Sequence, residues 1–222
     1  IEISGFLAAS LAWGQRPTII RKCKELMRLM DYAPYDFILN AQETDFERFT
    51  NFKHRTFNGY DCCYFLQALA HIYRTKGGLE KIFTQAYQQH QDMFQVLRCW
   101  YNEFTALPAE KRVLRHIANV EKGSAAKRVN MFLRWMVRRD ASGIDFGLWK
   151  SIPPAALLIP LDLHTGNVSR NLGLLHRKQN DAQAVAELTE RLREFDPVDP
   201  IRYDFALFGL GAFAKSKEEK EY

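Results

Sequence analysis

Two stretches of this 222-residue chain carry side chains that could do chemistry together. In EKGSAAKRVNMFLRWMVRRD, Gly123 precedes a helix that the pattern starts near Ser124, with Lys127 in its first turns. Backbone N–H groups at a helix start lack intrahelical partners, and a glycine lets a phosphate approach them closely. The dipole at that end favours anions, so a lysine there is unfavourably placed for its charge. Were its pKa depressed, its amine would be free to act as a nucleophile. In PLDLHTGNVSRNLGLL, the run from Leu163 reads as a helix with Asp162 at its cap and His164 two residues on. A carboxylate that accepts backbone N–H bonds stays ionised and fixed, and could stabilise positive charge developing on a sugar ring. Each residue also has a plainer role open to it. Lys127 could be a solvated surface lysine. Asp162 could simply cap its helix, worth ~1 kcal/mol, and capping is compatible with catalysis.

The elements that must position these groups are helical. PTIIRKCKELMRLMDY repeats apolar residues at Ile19, Ile20, Cys23, Leu26, Met27 and Met30, with Pro17 near the first helical position. DCCYFLQALAHIYRTKGG continues the pattern and stops at Gly77 and Gly78. LEKIFTQAYQQ, DMFQVLRCWYNEF, DAQAVAELTERLREF and DPIRYDFALFGLGAF follow, with Asp181 and Asp199 as caps of the last two. Ser124 is the capping candidate of the lysine helix, whose apolar faces leave Arg128, Arg134, Arg138 and Arg139 to other sides. No alternation lasts long enough to build a sheet, so the fold class is all-α. Residues 140 to 160, with Gly143, Gly147 and three prolines, read as a connection, and KSKEEKEY from 215 as a charged, frayed tail.

Hydrophobic residues make up 47% and charged residues 26%, an ordinary globular composition that excludes a disordered chain. The net charge of +5 permits a polyanionic partner without demanding one. Cys23, Cys62, Cys63 and Cys99 fit neither a zinc spacing nor a secreted disulfide framework, which points to reduced thiols in the cytoplasm. His71, His90 and His176 have no partners at metal spacing, so no metal and no cofactor are expected. IEISGFLAASLAWGQ reads as a buried helix, not a signal peptide, and no uncharged run is long enough to span a bilayer. FKHRTFNGYDCCYF, with Lys53, His54 and Arg55 among aromatics, reads as a charged loop that could touch a DNA backbone; KRVLRH at 111 to 116 is similar.

Gly123, Lys127 and PLDLHTGNVSRNLGLL together resemble the helix-hairpin-helix DNA glycosylases. That family carries a hairpin just ahead of a lysine, then a helix, then a V/P-D-T-H segment with a catalytic aspartate. FLAASLAWGQRPTIIRKCKELM is similar to the family's first core helix and puts Gln15 at its duplex-probing glutamine; IRYDFALFGLGAF resembles its closing helix. More closely, the chain resembles an uncharacterised bacterial family sharing KGSAxKRxNMFLRWMVR and PLDxHTGxVxRxLGLL. Ala125 stands at the usual second hairpin glycine, and the spacing from Lys127 to Asp162 is nearest that of archaeal 8-oxoguanine glycosylases. No iron–sulfur cysteine cluster follows the last helix.

The resemblance implies a single glycosylase-like unit of two interlocked helical lobes with a cleft between them. One lobe would take residues 20 to 160, with the hairpin near 118 to 128; the other would take 1 to 19 and 161 to 214. It further implies a base-excision glycosylase with AP-lyase activity on an oxidised purine such as 8-oxoguanine, with Lys127 as the Schiff-base lysine and Asp162 as the catalytic aspartate. Gly123, Ser124, Arg128, His164 and Gln15 would contact DNA, and Met131, Phe208 and Trp149 would wall the base pocket, though plain core packing is open to all three. The implied partner is damaged double-stranded DNA, bound by a monomer in the bacterial cytoplasm at the nucleoid. The competing class is a nucleic-acid-binding module that keeps the fold without the chemistry; a third is an all-α interaction scaffold.

Overall fold

A computed structural model of the chain describes residues 1–141 and 143–218, with side chains through residue 212. The chain divides into two compact units, Ile1–Ala118 and Asn119–Tyr222. The first holds α1 (Glu2–Ser10), α2 (Arg16–Leu29), α3 (Pro34–Asn40), α4 (Gly59–Lys76), α5 (Leu79–His90), α6 (Met93–Phe104) and the short α7 (Lys111–Leu114). The second holds α8 (Lys127–Val137), α9 (Leu163–Asn171), α10 (Ala182–Phe195) and α11 (Asp204–Glu218). Among the described residues, four 3₁₀ turns, at Glu43–Phe49, Val120–Lys122, Pro154–Ala156 and Pro200–Tyr203, add to the helical content. The fold is mostly helical, as the periodicity requires. No helix among the described residues is long and apolar enough to cross a membrane.

The first unit is built around an aromatic core. Phe6 of α1, Phe65 of α4, and Trp100 and Phe104 of α6 are buried together, with the Phe65 and Phe104 rings 5.0 Å apart and edge-on. Edge-on and tilted pairs suit the ring quadrupoles better than face-to-face sandwiches. Asn58 and Asp61 form a capping box that starts α4: the Asp61 N–H donates to Asn58 Oδ1 at 3.2 Å, and the Asn58 N–H to Asp61 Oδ2 at 2.8 Å. Glu2 of α1 accepts from the N–H groups of Leu79 and Glu80 at 3.2 Å each, capping α5 from a helix distant in sequence. Tyr73 donates to the same carboxylate.

The segment expected to be a charged loop is instead a small antiparallel hairpin, with Lys53 opposite Asn58 and His54 opposite Phe57. Arg55 turns it with φ 56. Alternation sends His54 inward, where it is 1% exposed and its Nε2 lies 3.1 Å from the Trp13 carbonyl oxygen. Trp13 packs against His54 and stacks in parallel on His116. Asp61 Oδ2 also faces Arg112 at 3.2 Å and His116 at 3.5 Å, so part of the KRVLRH segment is folded inward as well. Burial lowers the His54 pKa.

In the second unit the glycine- and proline-rich connection folds back on α8. Trp149 is 1% exposed, edge-on to Phe132 at 5.4 Å, and its backbone N–H donates to the Met136 carbonyl at 2.9 Å. Asp181 caps α10 as expected, accepting from Ala184 N–H at 3.0 Å. Two other caps differ from expectation. Ser124 is not a cap: α8 begins at Lys127 behind Ala126, and the Ser124 hydroxyl accepts from Ala126 N–H at 3.2 Å. Asp199 heads a 3₁₀ turn without a side-chain cap bond, because its carboxylate is taken by Arg138, and α11 starts at Asp204 instead. Since α11 runs to Glu218, residues 215–218 of the expected frayed tail are helical, and 219–222 lie outside the described residues. All four cysteines are free thiols.

Candidate functional site

Two helix starts meet in the second unit. Lys127, the first residue of α8, lies with its Nζ 3.2 Å from Asp162 Oδ2, at the residue that caps α9. The other carboxylate oxygen, Oδ1, accepts from Thr165 N–H at 2.9 Å, so the cap bond fixes the carboxylate while leaving Oδ2 for the lysine. The Asp162 carbonyl accepts from Asn180 Nδ2 at 3.1 Å, which holds the backbone as well. The lysine side chain is 34% exposed and the aspartate 13%, so the pair is reachable from solvent.

The turn ahead of α8 is built from left-handed residues. Gly123 ends the preceding 3₁₀ turn with φ 81, and Ala126 adopts φ 47. An L-residue in that region costs roughly 1–2 kcal/mol, so the surroundings must hold Ala126 there. Asn130, 2% exposed, does so from one turn ahead: its Nδ2 donates to the Ala125 carbonyl at 3.1 Å, and its N–H to that of Ala126 at 2.9 Å. On the other side, Gly123 O accepts from Ala182 N–H at 3.0 Å, and Ser124 bridges Asp181.

Beneath the pair runs a buried ionic network. Arg134, two turns after Lys127, is 1% exposed, so the side of α8 left to it by the apolar faces is buried too. Its Nε and Nη2 donate to Asp145 Oδ2 at 3.2 and 3.1 Å, its Nη1 to Asp204, and its guanidinium lies 3.6 Å from the Phe205 ring centroid. Arg138 joins the network by donating to Asp145 and Asp199. Burial pushes the Asp204 carboxyl up to about 6; Arg134 opposes the rise, and Asp162 and Lys127 are near enough to act on it with opposite signs. Sequence pattern missed this network. Its one advance signal was that Arg134 lies seven residues after Lys127, on the same side of α8.

The remaining expected site residues fall in several places. Gly123 is exposed at the turn, and no atom beyond its chain neighbours would lie within 4 Å of a Cβ added there. Arg128 is partly buried, and desolvation lowers its pKa to about 10, so it is still charged at neutral pH. His164 packs α9 on α11: its Nδ1 lies 3.2 Å from the Gly211 carbonyl oxygen, and its ring meets Phe208 edge-on at 5.6 Å. A Cβ on Gly211 would come within 2.9 Å of His164 Cβ, so glycine lets the two helices approach this closely. Phe208 is 39% exposed and Met131 is half-buried, while Trp149 is interior to the unit. Gln15 belongs to the first unit, exposed at the start of α2, where its side chain makes no cap bond. Among the described residues, no three His, Cys, Asp or Glu side chains group as a metal would require.

No curated protein and no solved structure matches the chain. A family model does match, over residues 1–213, and its description is "Protein of unknown function (DUF2400)". A match over nearly the whole chain makes this protein a member of that family.

Proposed function

We propose that the protein is a helix-hairpin-helix-type DNA glycosylase with AP-lyase activity, acting on an oxidised purine such as 8-oxoguanine in damaged duplex DNA. The observation that carries this reading is the 3.2 Å approach of Lys127 Nζ to an Asp162 carboxylate fixed by its own cap bond. An amine and an immobile carboxylate at adjoining helix starts are what displacement at a sugar carbon requires. A base inside a duplex is out of reach, so the nucleotide must first be flipped out. The Lys127 ammonium gives up a proton, and its amine forms a bond to C1′. The glycosidic bond breaks with its electron pair going to the base, which takes up a proton and leaves. Asp162 stabilises the positive charge that grows on the sugar. Ring opening gives an imine between Lys127 and C1′, and loss of a C2′ proton then expels the 3′ phosphate. The interlocked-lobe division, a monomeric state and a nucleoid location belong to the same reading, as do DNA contacts by Gly123, Ser124, Arg128, His164 and Gln15.

The same ion pair also favours the alternative of a binding module without chemistry, because it ties two helix starts together whether or not the amine ever reacts. Borohydride trapping against duplexes bearing lesions or an abasic site separates the two. The enzyme reading expects a covalent adduct with the wild-type protein and none with Lys127→Gln, which keeps its fold and duplex affinity. Wild-type protein that binds these duplexes, releases no base and leaves no adduct would refute it.

A further inference from the structure

We infer that the solvent face of α2 is a further surface for the phosphate backbone of duplex DNA; this rests on the proposal that duplex DNA is the ligand. At about 100° per residue, Arg21, Lys24 and Arg28 fall within an arc of roughly 60° on the side opposite buried Leu26. All three are exposed, as is Arg16 at the helix start, and among the described residues no carboxylate pairs with any of them. Glu25, the single acidic residue of α2, is taken by Lys22 at 2.7 Å. Ile20, which periodicity assigns to the core, is 43% exposed beside this ridge, so the outward face is wider than an amphipathic pattern predicts.

A second observation gives the ridge the same sign at its end. The N-terminus of α2 has neither a side-chain cap bond nor an acidic residue in its first turn, so its free N–H groups add positive potential to that of Arg16. Arg55, at the tip of the hairpin, lies over Gly14: a Cβ there would be 2.9 Å from Arg55 Nη1. Arg55, which pairs with no carboxylate among the described residues either, extends the positive surface past Gln15. From Arg21 to Arg28 the helix rises about 10 Å. A B-DNA strand presents one phosphate per about 3.4 Å of axis, so the three cations span the length of about four successive phosphates. Solvated cations repel one another along such a ridge; a bound polyanion offsets that repulsion with its own charge and releases its condensed counterions.

The test is the salt dependence of binding by the full chain to an undamaged duplex, to single-stranded RNA and to anionic phospholipid vesicles. Arg21→Gln/Lys24→Gln/Arg28→Gln should bind the duplex at least ~10-fold more weakly, with a log–log salt slope shallower by about 3, one for each phosphate that is no longer neutralised. The triple variant should need more protein or lower salt than the wild type to trap the abasic-site adduct, because the three substitutions act on binding and leave the Lys127 amine in place. Unchanged duplex affinity and slope would overturn the inference, as would a loss confined to RNA or to vesicles. Failure of the enzymatic proposal reads out differently, as no adduct from the wild type while the ridge variant still loses affinity.

Discussion

Replacing Arg134 with methionine should destabilise the protein by about 3–5 kcal/mol at neutral pH, the range for removing one partner of a buried ion pair. Three carboxylates, on Asp145, Asp199 and Asp204, share two guanidinium groups, on Arg134 and Arg138. The set is therefore one positive charge short when every group is ionised. Among the described residues Arg134 is the ion-pair partner of Asp204, so its loss leaves a buried carboxylate with none. Even with Arg134 present, burial holds Asp204 at about 6 against an ordinary 3.8, a difference worth ~3 kcal/mol between its two protonation states. Without Arg134 the pKa rises further. A carboxyl raised in the folded state binds its proton there more tightly than in the unfolded chain, so stability falls as pH rises from about 4 through the folded pKa. The deficit of Arg134→Met should accordingly shrink between pH 7 and pH 5. Urea unfolding followed by far-UV circular dichroism at both pH values measures it. Arg134→Met/Asp204→Asn should regain part of the loss at pH 7, because the buried charge is gone. A deficit under about 1 kcal/mol at pH 7, within the range of ordinary surface substitutions, would refute the reasoning. So would a deficit equal at the two pH values.

Asp162→Ala should lower stability by ~1 kcal/mol through loss of the cap bond to Thr165, whereas Asp162→Asn should cost only a few tenths. Urea unfolding measures both, and equal losses would separate the carboxylate from the start of α9. Burial lowers the His54 pKa below its ordinary value of 6.5, so the folded state favours the neutral ring. Its contribution is therefore complete above about 6.5 and is lost as pH falls through that value toward the lowered one. His54→Gln should lose less of its melting temperature than the wild type between pH 7.5 and pH 5.5, and parallel losses would exclude His54 as the titrating group.

The helices, the Asp162 and Asp181 caps and the glycine stop after α4 were legible in sequence because each is local: period, cap and terminator lie within a few residues of one another. So were the two residues of the candidate pair, each named from its position at a helix start. Their 3.2 Å approach followed only from the family resemblance, because nothing local relates residues 127 and 162. The burial of Arg134 was hidden for the same reason. Charge and period send an arginine outward, and the carboxylates that draw it inward come from Asp145 and from Asp204, 70 residues away. The inward turn of His54 escaped notice because two residues of strand are too short for an alternation to register. Ser124 looked like a cap because serine commonly caps helices, but Ala126 in the left-handed region delays the start of α8 to Lys127.

The bond from Ala182 N–H to Gly123 O, with the Ser124–Asp181 bridge beside it, clasps the chain into a closed ring that contains both Lys127 and Asp162. Closure entropy grows only with the logarithm of ring size, so ten extra residues in the connection between the two would cost roughly 0.1 kcal/mol. One extra residue inside α8, between Lys127 and buried Val129, is another matter, since it would turn Lys127 by about 100° around the helix axis relative to the buried face. Length is thus nearly free in the connection and fixed in the first turn of α8. The pair can outlast drift in the segment that joins it, but not a change of register at its root.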